Sequence, residues 1–109
     1  MSVKDTQKTE ALIEALLSLK TPDEARRFVR YLLTESEIVE FSNRFCAARM
    51  LNDKVPYSVI EKETGLSSTT VARVSKWLTT GRNGYQTVIN RLNTKHPHLS
   101  HPVGKGLSS

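Results

Sequence analysis

Six residues in one short stretch have the chemistry to hold a polyanion and to read a base edge: Ser67, Ser68, Thr69, Thr70, Arg73 and Lys76. Short hydroxyl side chains bond phosphates or base edges, and a threonine methyl can meet the methyl of thymine. Arg73 can take both acceptors of guanine with its forked guanidinium, or it can hold a phosphate or a structural partner. Lys76, the later Arg82 and the earlier Lys54 suit backbone phosphates better than bases. Capping a helix would use one hydroxyl of the Ser-Ser-Thr-Thr run, which leaves three to explain.

Other reactive groups do not assemble in the same way. His96, His98 and His101 stand close together as His-Pro-His-Leu-Ser-His, but a proline-rich terminus gives no rigid second shell, so no metal site is expected. Cys46 is the single cysteine; it excludes an internal disulfide, fits a reducing compartment, and reads as a buried thiol on an apolar helix face. There is no Ser-His-Asp set, glycine-rich phosphate loop or cysteine pair at metal spacing. The expectation is therefore no enzyme and no cofactor. No apolar run could act as a signal peptide or span a membrane, so a cytoplasmic protein without a membrane partner is expected.

Charge supports the nucleic-acid reading by where it lies. The net charge of +5 is spread unevenly over the 109 residues. Residues 1–53 carry eight Lys/Arg and nine Asp/Glu, whereas residues 54–92 carry six and two. No acidic residue follows Glu63. An acid-free, basic C-terminal half is what a surface facing phosphates needs; the alternative is a solubilising face.

The elements that must position these groups are all helical by periodicity. Residues 1–5 are expected to be flexible, 6–92 to form one helical domain, and 93–109 to be a disordered tail because of Pro97, Pro102, Gly104 and Gly106. Leu12, Leu16 and Leu19 recur at helical spacing over 6–19. Thr21-Pro22-Asp23-Glu24 and Thr34-Glu35-Ser36-Glu37 are capping boxes that open a second and a third helix. The second turns Ala25, Phe28, Val29 and Leu32 inward and Arg26, Arg27 and Arg30 outward. The third, over about 35–51, has one stripe at Ile38, Phe41, Phe45 and Ala48 and another at Val39, Cys46 and Met50. So wide an apolar face predicts burial on two sides, and with a small core it favours an extensively packed dimer.

Over 57–78 the pattern becomes a helix-turn-helix. A short helix ends at Thr64-Gly65, where glycine permits the left-handed conformation of the turn. Ser67 or Ser68 then caps a second helix running to about Thr79. Ile60, Leu66, Val71 and Val74 occupy the apolar positions that lock two such helices together; Glu61 departs from the pattern, which has a small residue there. A polar break at 79–84 precedes a last helix to about Leu92, with an apolar edge at Val88, Ile89 and Leu92.

Leu-Thr-Glu-Ser-Glu opening the third helix, with Gly-Leu-Ser-Ser-Thr-Thr-Val-Ala-Arg-Val and Gly81-Arg82-Asn83-Gly84-Tyr85, resembles the Trp-repressor superfamily. Within it, the YerC/YecD-type branch is the more similar. The resemblance covers about residues 25–92. It implies an all-α, intertwined homodimer that presents two helix-turn-helix units to a palindromic double-stranded operator, as a transcriptional repressor would. It also implies an effector pocket, because the arginines that hold L-tryptophan in the repressor match Arg44 and Arg73. The repressor's glycine and serine at that pocket are Val74 and Trp77 here, and both are bulkier. The expectation is that Val74 and Trp77 fill the space and no tryptophan is bound; alternatively Trp77 is simply a core residue. Two further alternatives are a regulator gated by tryptophan or another small molecule between Arg44 and Arg73, and a helical module that binds a protein. The identity of any effector is unknown from the sequence.

Overall fold

The structure, a computed structural model, describes residues 3–95 as six α-helices, with no strand among them. Helix α1 spans Val3–Leu17, α2 Pro22–Leu32, α3 Glu35–Asn52, α4 Tyr57–Thr64, α5 Ser68–Thr80 and α6 Gly84–Lys95. The all-helical class is the one that the periodicity predicts. His96, His98 and His101, with the rest of residues 96–109 of the expected tail, lie outside the described residues.

Local chemistry fixes most of the boundaries. Thr21 Oγ1 accepts from the Glu24 N–H at 3.1 Å and opens α2. The Glu24 carboxylate reaches back to the N–H of Lys20, at 2.9 Å, one residue before the cap. At α3 the box closes fully: Thr34 Oγ1 accepts from the Glu37 N–H and Glu37 Oε1 from the Thr34 N–H. Three ends differ from expectation. Helix α1 already includes residues 3–5, where no glycine or proline interrupts it, and it stops at Leu17, where the Ser18 hydroxyl donates to the Ala15 carbonyl. Helix α6 continues to Lys95 instead of Leu92, so residues 93–95 are helical and not tail; the Thr94 hydroxyl donates to the Asn90 carbonyl, and the first breaker is Pro97.

By its contacts the chain divides into two compact units, one ending at Ile38 and the other beginning at Val39. In the first, no described residue is buried, and Leu12, Ile13, Leu16, Leu17, Tyr31 and Leu32 are exposed. The second contains two apolar clusters. Ala47, Met50, Ile60, Leu66 and Val71 form one; Ala48, Val74 and Ile89 form the other, and Leu51 packs against both. Adjacent residues Ala47 and Ala48 enter different clusters, so α3 is buried on two sides within this unit, as its wide face predicts. Val39 and Phe41, at its start, remain exposed.

The exit from α3 is a Schellman motif. The Lys54 N–H donates to the Leu51 carbonyl and the Val55 N–H to the Met50 carbonyl, both at 3.0 Å. Lys54 takes the left-handed conformation, with φ of 65°, at a place that glycine normally occupies. A side chain there costs about 1–2 kcal/mol.

Candidate nucleic-acid interface

Helices α4 and α5 are joined by residues 65–67. Gly65 has φ of 74° and ψ of 5°, and its N–H donates to the Glu61 carbonyl at 2.8 Å. A Cβ at Gly65 would meet nothing within 4 Å, so backbone conformation alone selects glycine. Beside it, Thr64 is 6% exposed and is the only buried polar residue among those described. Its hydroxyl donates to the Ile60 carbonyl at 2.7 Å and accepts from the Leu66 N–H at 3.2 Å. One side chain thus ties the last turn of α4 to the first residue that the turn returns to the core. Sequence reasoning missed this role; the signal was a threonine directly before a left-handed glycine. Glu61, the departure from the motif, is accommodated half-buried.

Ser67 is the cap of α5. Its Oγ accepts from the Thr70 N–H at 3.2 Å and donates to Thr70 Oγ1 at 3.1 Å. Of the four hydroxyls in the run, Ser67 and Thr70 are therefore engaged with each other, and Ser68 and Thr69 stand exposed. Val71 and Val74, three residues apart, are fully buried in the two different clusters. They clamp α5 along one side and leave Thr69, Arg73 and Lys76 exposed on the rest of its surface. Among the described residues no carboxylate pairs with Lys54, Arg73, Lys76 or Arg82, all of them exposed. The surface around α5 is accordingly a set of free cations and hydroxyls on a rigid support.

The four residues of the expected effector pocket have different surroundings within the single chain. Arg44 is bound to Glu40 at 3.1 Å and lies over the Phe41 ring, 5.2 Å from its centroid. Val74 is enclosed between Ala48 and Ile89. Trp77 is 44% exposed and so is not core within this chain. It lines an open apolar cavity of about 540 Å³ with Phe45, Gly81, Arg82, Tyr85 and Val88, and Arg44, Arg73 and Val74 are not in that wall. Gly81 carries the turn between α5 and α6, because a Cβ there would collide with the Trp77 carbonyl oxygen. Burial raises the Tyr85 phenol above its usual value, opposed by the nearby Arg44 guanidinium. Cys46 is half-buried against Met50, with 3.8 Å between the sulfurs. Among the described residues no cluster of His, Cys, Asp and Glu could hold a metal ion, and no helix is long and apolar enough to cross a membrane.

A second link gives α6 its place. The Gln86 amide donates to Asn52 Oδ1 and to Asn90 Oδ1, each at 3.0 Å. It ties the end of α3 to α6 across 34 residues of sequence, and no sequence pattern announces it.

Known proteins share this arrangement. The family model of the Trp repressor protein matches residues 7–93. The uncharacterised protein YerC of Bacillus subtilis (strain 168) is 37% identical over 83 residues, which are 76% of this chain and 80% of YerC. A TrpR-like protein from Eubacterium eligens superposes with a TM-score of 0.74 at 42% identity, covering 79% of this chain and 89% of its own. A candidate Trp repressor from Staphylococcus aureus gives a TM-score of 0.75 at 30% identity, over 85% and 95% of the two chains. On the match of the family model, the identities and the structural similarity, this chain belongs to the Trp repressor protein family.

Proposed function

We propose that this protein is a sequence-specific DNA-binding transcriptional regulator, a repressor that acts as a homodimer and is not switched by L-tryptophan. The observation that carries the reading is the exposure of Ser68, Thr69, Arg73 and Lys76 on a helix clamped by two core clusters, with no carboxylate among the described residues paired to its cations. In this reading the N-terminal half of α5 enters the major groove. Ser68, Thr69 and Arg73 read base edges, while Lys54, Lys76 and Arg82 hold phosphates; Ser67 and Thr70 shape the cap that aims them.

The homodimer is supported by what the first unit lacks. A segment of fewer than about 40 residues does not fold on its own without a disulfide, metal or partner. Residues 1–38 contain no cysteine, and the described ones include no buried side chain. A second copy covering the exposed leucines of α1 and α2 would supply the missing burial. Two reading helices would then stand about 34 Å apart, one turn of DNA, over a palindrome. Light scattering should give twice the chain mass.

Selection of bound sequences from a random duplex pool tests the whole reading: a palindromic consensus is expected, and recovery of unselected sequence would refute it. Six phosphate contacts in a dimer should cost about a thousandfold in affinity between 50 and 200 mM salt. Arg73→Ala should lose about 1–3 kcal/mol and relax specificity at one base pair, whereas Lys76→Ala should weaken all sequences alike. For the switch, Val74 fills the space beside Arg73 with core, and Arg44 is taken by Glu40. Isothermal titration with L-tryptophan should therefore show no saturable micromolar heat; such a heat would overturn the unswitched reading.

A further inference from the structure

Beside α5 lies a second cleft, of which the reading above uses only the rim residue Lys54. It measures about 600 Å³, within the range of roughly 300–1,000 Å³ that small-molecule sites occupy. The end of α3, the start of α4, the C-terminal half of α5 and the entry to α6 all contribute to its wall. At 100° per residue Ser75, on this wall, sits about 160° around α5 from Trp77, so the cleft and the Trp77 cavity flank α5 on opposite sides.

The chemistry of the lining narrows the occupant. Leu51, Val55 and Leu78 make an apolar part; among the described residues Lys54 is the charged one of the wall, and none of their carboxylates lines it. The amides of Asn52 and Gln86 are held in place by their mutual hydrogen bond, and their remaining donor and acceptor have no partner among the described residues. Lys54 and Asn83, the two non-glycine residues with positive φ among those described, both line this one cleft. Residues held in sparsely populated conformations concentrate at ligand clamps and switch regions.

We propose that this cleft binds a small organic anion with an apolar body, its charged head on Lys54, and that occupation weakens the hold on DNA. The second clause rests on the DNA-binding reading; the first does not. Lys54 serves both partners, so a head group that takes its ammonium removes a phosphate contact, and by linkage DNA weakens the anion equally.

The test is a titration of the ¹⁵N-labelled full chain with phenyl phosphate at constant ionic strength, without DNA. Saturable shifts are expected at the amides of Lys54, Ser75, Asn83 and Gln86, with inorganic phosphate about tenfold weaker for want of the apolar body. Ser75→Gln and Thr79→Gln fill the cleft with neutral side chains and should each abolish the shifts while leaving duplex affinity unchanged. Shifts that do not saturate, that appear equally at Arg26 and Arg30, or that persist in both variants would overturn the site. With duplex present, saturating phenyl phosphate should lower affinity about tenfold in the parent and not in Ser75→Gln. Saturable binding in a protein that holds no duplex would keep the site and remove the DNA reading. Duplex binding with no phenyl phosphate shifts would remove the site alone.

Discussion

Thr64→Val isolates the hydroxyl that joins the last turn of α4 to Leu66, just before α5. Valine is almost isosteric with threonine and stays β-branched, so packing is nearly conserved while both hydrogen bonds vanish. The Ile60 carbonyl keeps the partner that the α4 ladder offers it. The Leu66 N–H does not: Thr64 Oγ1 is its acceptor, 3.2 Å away in a buried setting. Leaving that donor unpaired costs about 1–3 kcal/mol, and the added methyl returns up to about 0.8 kcal/mol of burial. A net loss of about 1–2 kcal/mol is expected. For a domain of this size each kcal/mol moves the melting temperature by roughly 4–8 °C.

Urea titration at one fixed protein concentration reads this loss, since the stability of an oligomer varies with concentration. Hydrogen exchange at the Leu66 amide locates it. Thr64→Ser is the control: it keeps both bonds, loses one methyl at about 1 kcal/mol, and should leave Leu66 protected. Because Leu66 leads directly into the Ser67 cap, duplex affinity should fall with Thr64→Val more than with Thr64→Ser at matched stability. A Thr64→Val protein as stable as the parent, with Leu66 still protected, would refute the assignment of the turn to this hydroxyl.

Three further outcomes follow from the same geometry. Lys54→Gly should raise the urea midpoint by the equivalent of about 0.5–1 kcal/mol, the left-handed strain relieved less the entropy glycine adds to the unfolded chain, while weakening duplex binding. Gly81→Ala, at an ordinary φ of −70°, should lose about 1–3 kcal/mol because its Cβ and the Trp77 carbonyl cannot both keep their places, and Trp77 emission should shift. Stability should fall as pH rises above about 9: burial raises the Cys46 thiol above its usual 9.0, against Arg49 and with Glu63, so the unfolded chain ionises first. Urea midpoints taken up to pH 10 should show that decline, and Cys46→Ala should remove most of it; Tyr85, raised from 10.0 by burial, adds its own loss at higher pH.

The helices were legible because their signals are local. Two threonine–glutamate boxes, Pro22, Gly65 and the 3.6-residue recurrence of apolar side chains each act within one or two turns, and the starts of α2, α3, α4 and α5 follow them closely. The ends of α1 and α6 were less legible. A helix end with no glycine or proline is decided by weak side-chain bonds such as Ser18 to Ala15 and Thr94 to Asn90, which compete with many alternatives in the sequence. Burial divides along the same line. Ile60, Leu66, Val71 and Val74 are all buried as their spacing requires, whereas the leucines of α1 share that spacing and lie exposed in the single chain. Periodicity identifies a face that needs covering; it does not say which chain covers it.

The site shows the same limit at closer range. Val74 and Trp77 are three residues apart, so on a helix they sit only about 60° apart, and a reading based on spacing assigns both to one pocket. What separates them is the path of α6. Gly81 permits the close turn beneath the Trp77 carbonyl, Asn83 takes a left-handed conformation, and Gln86 ties the new helix back to Asn52, so that Ile89 closes over Val74 while Tyr85 and Val88 open a cavity beside Trp77. Position 74 is thereby made core and position 77 surface, by contacts that span tens of residues. A valine there does more than narrow a ligand's space. It is one of the residues that hold α5 in place, and a β-branched side chain enclosed by Ala48 and Ile89 has little freedom to move aside. If α5 is the reading helix proposed above, fixing it through the core in this way leaves no angle for a small molecule beside Val74 to set, and the proposed anion site, lined by Lys54 and Asn83, would act on the other flank of α5.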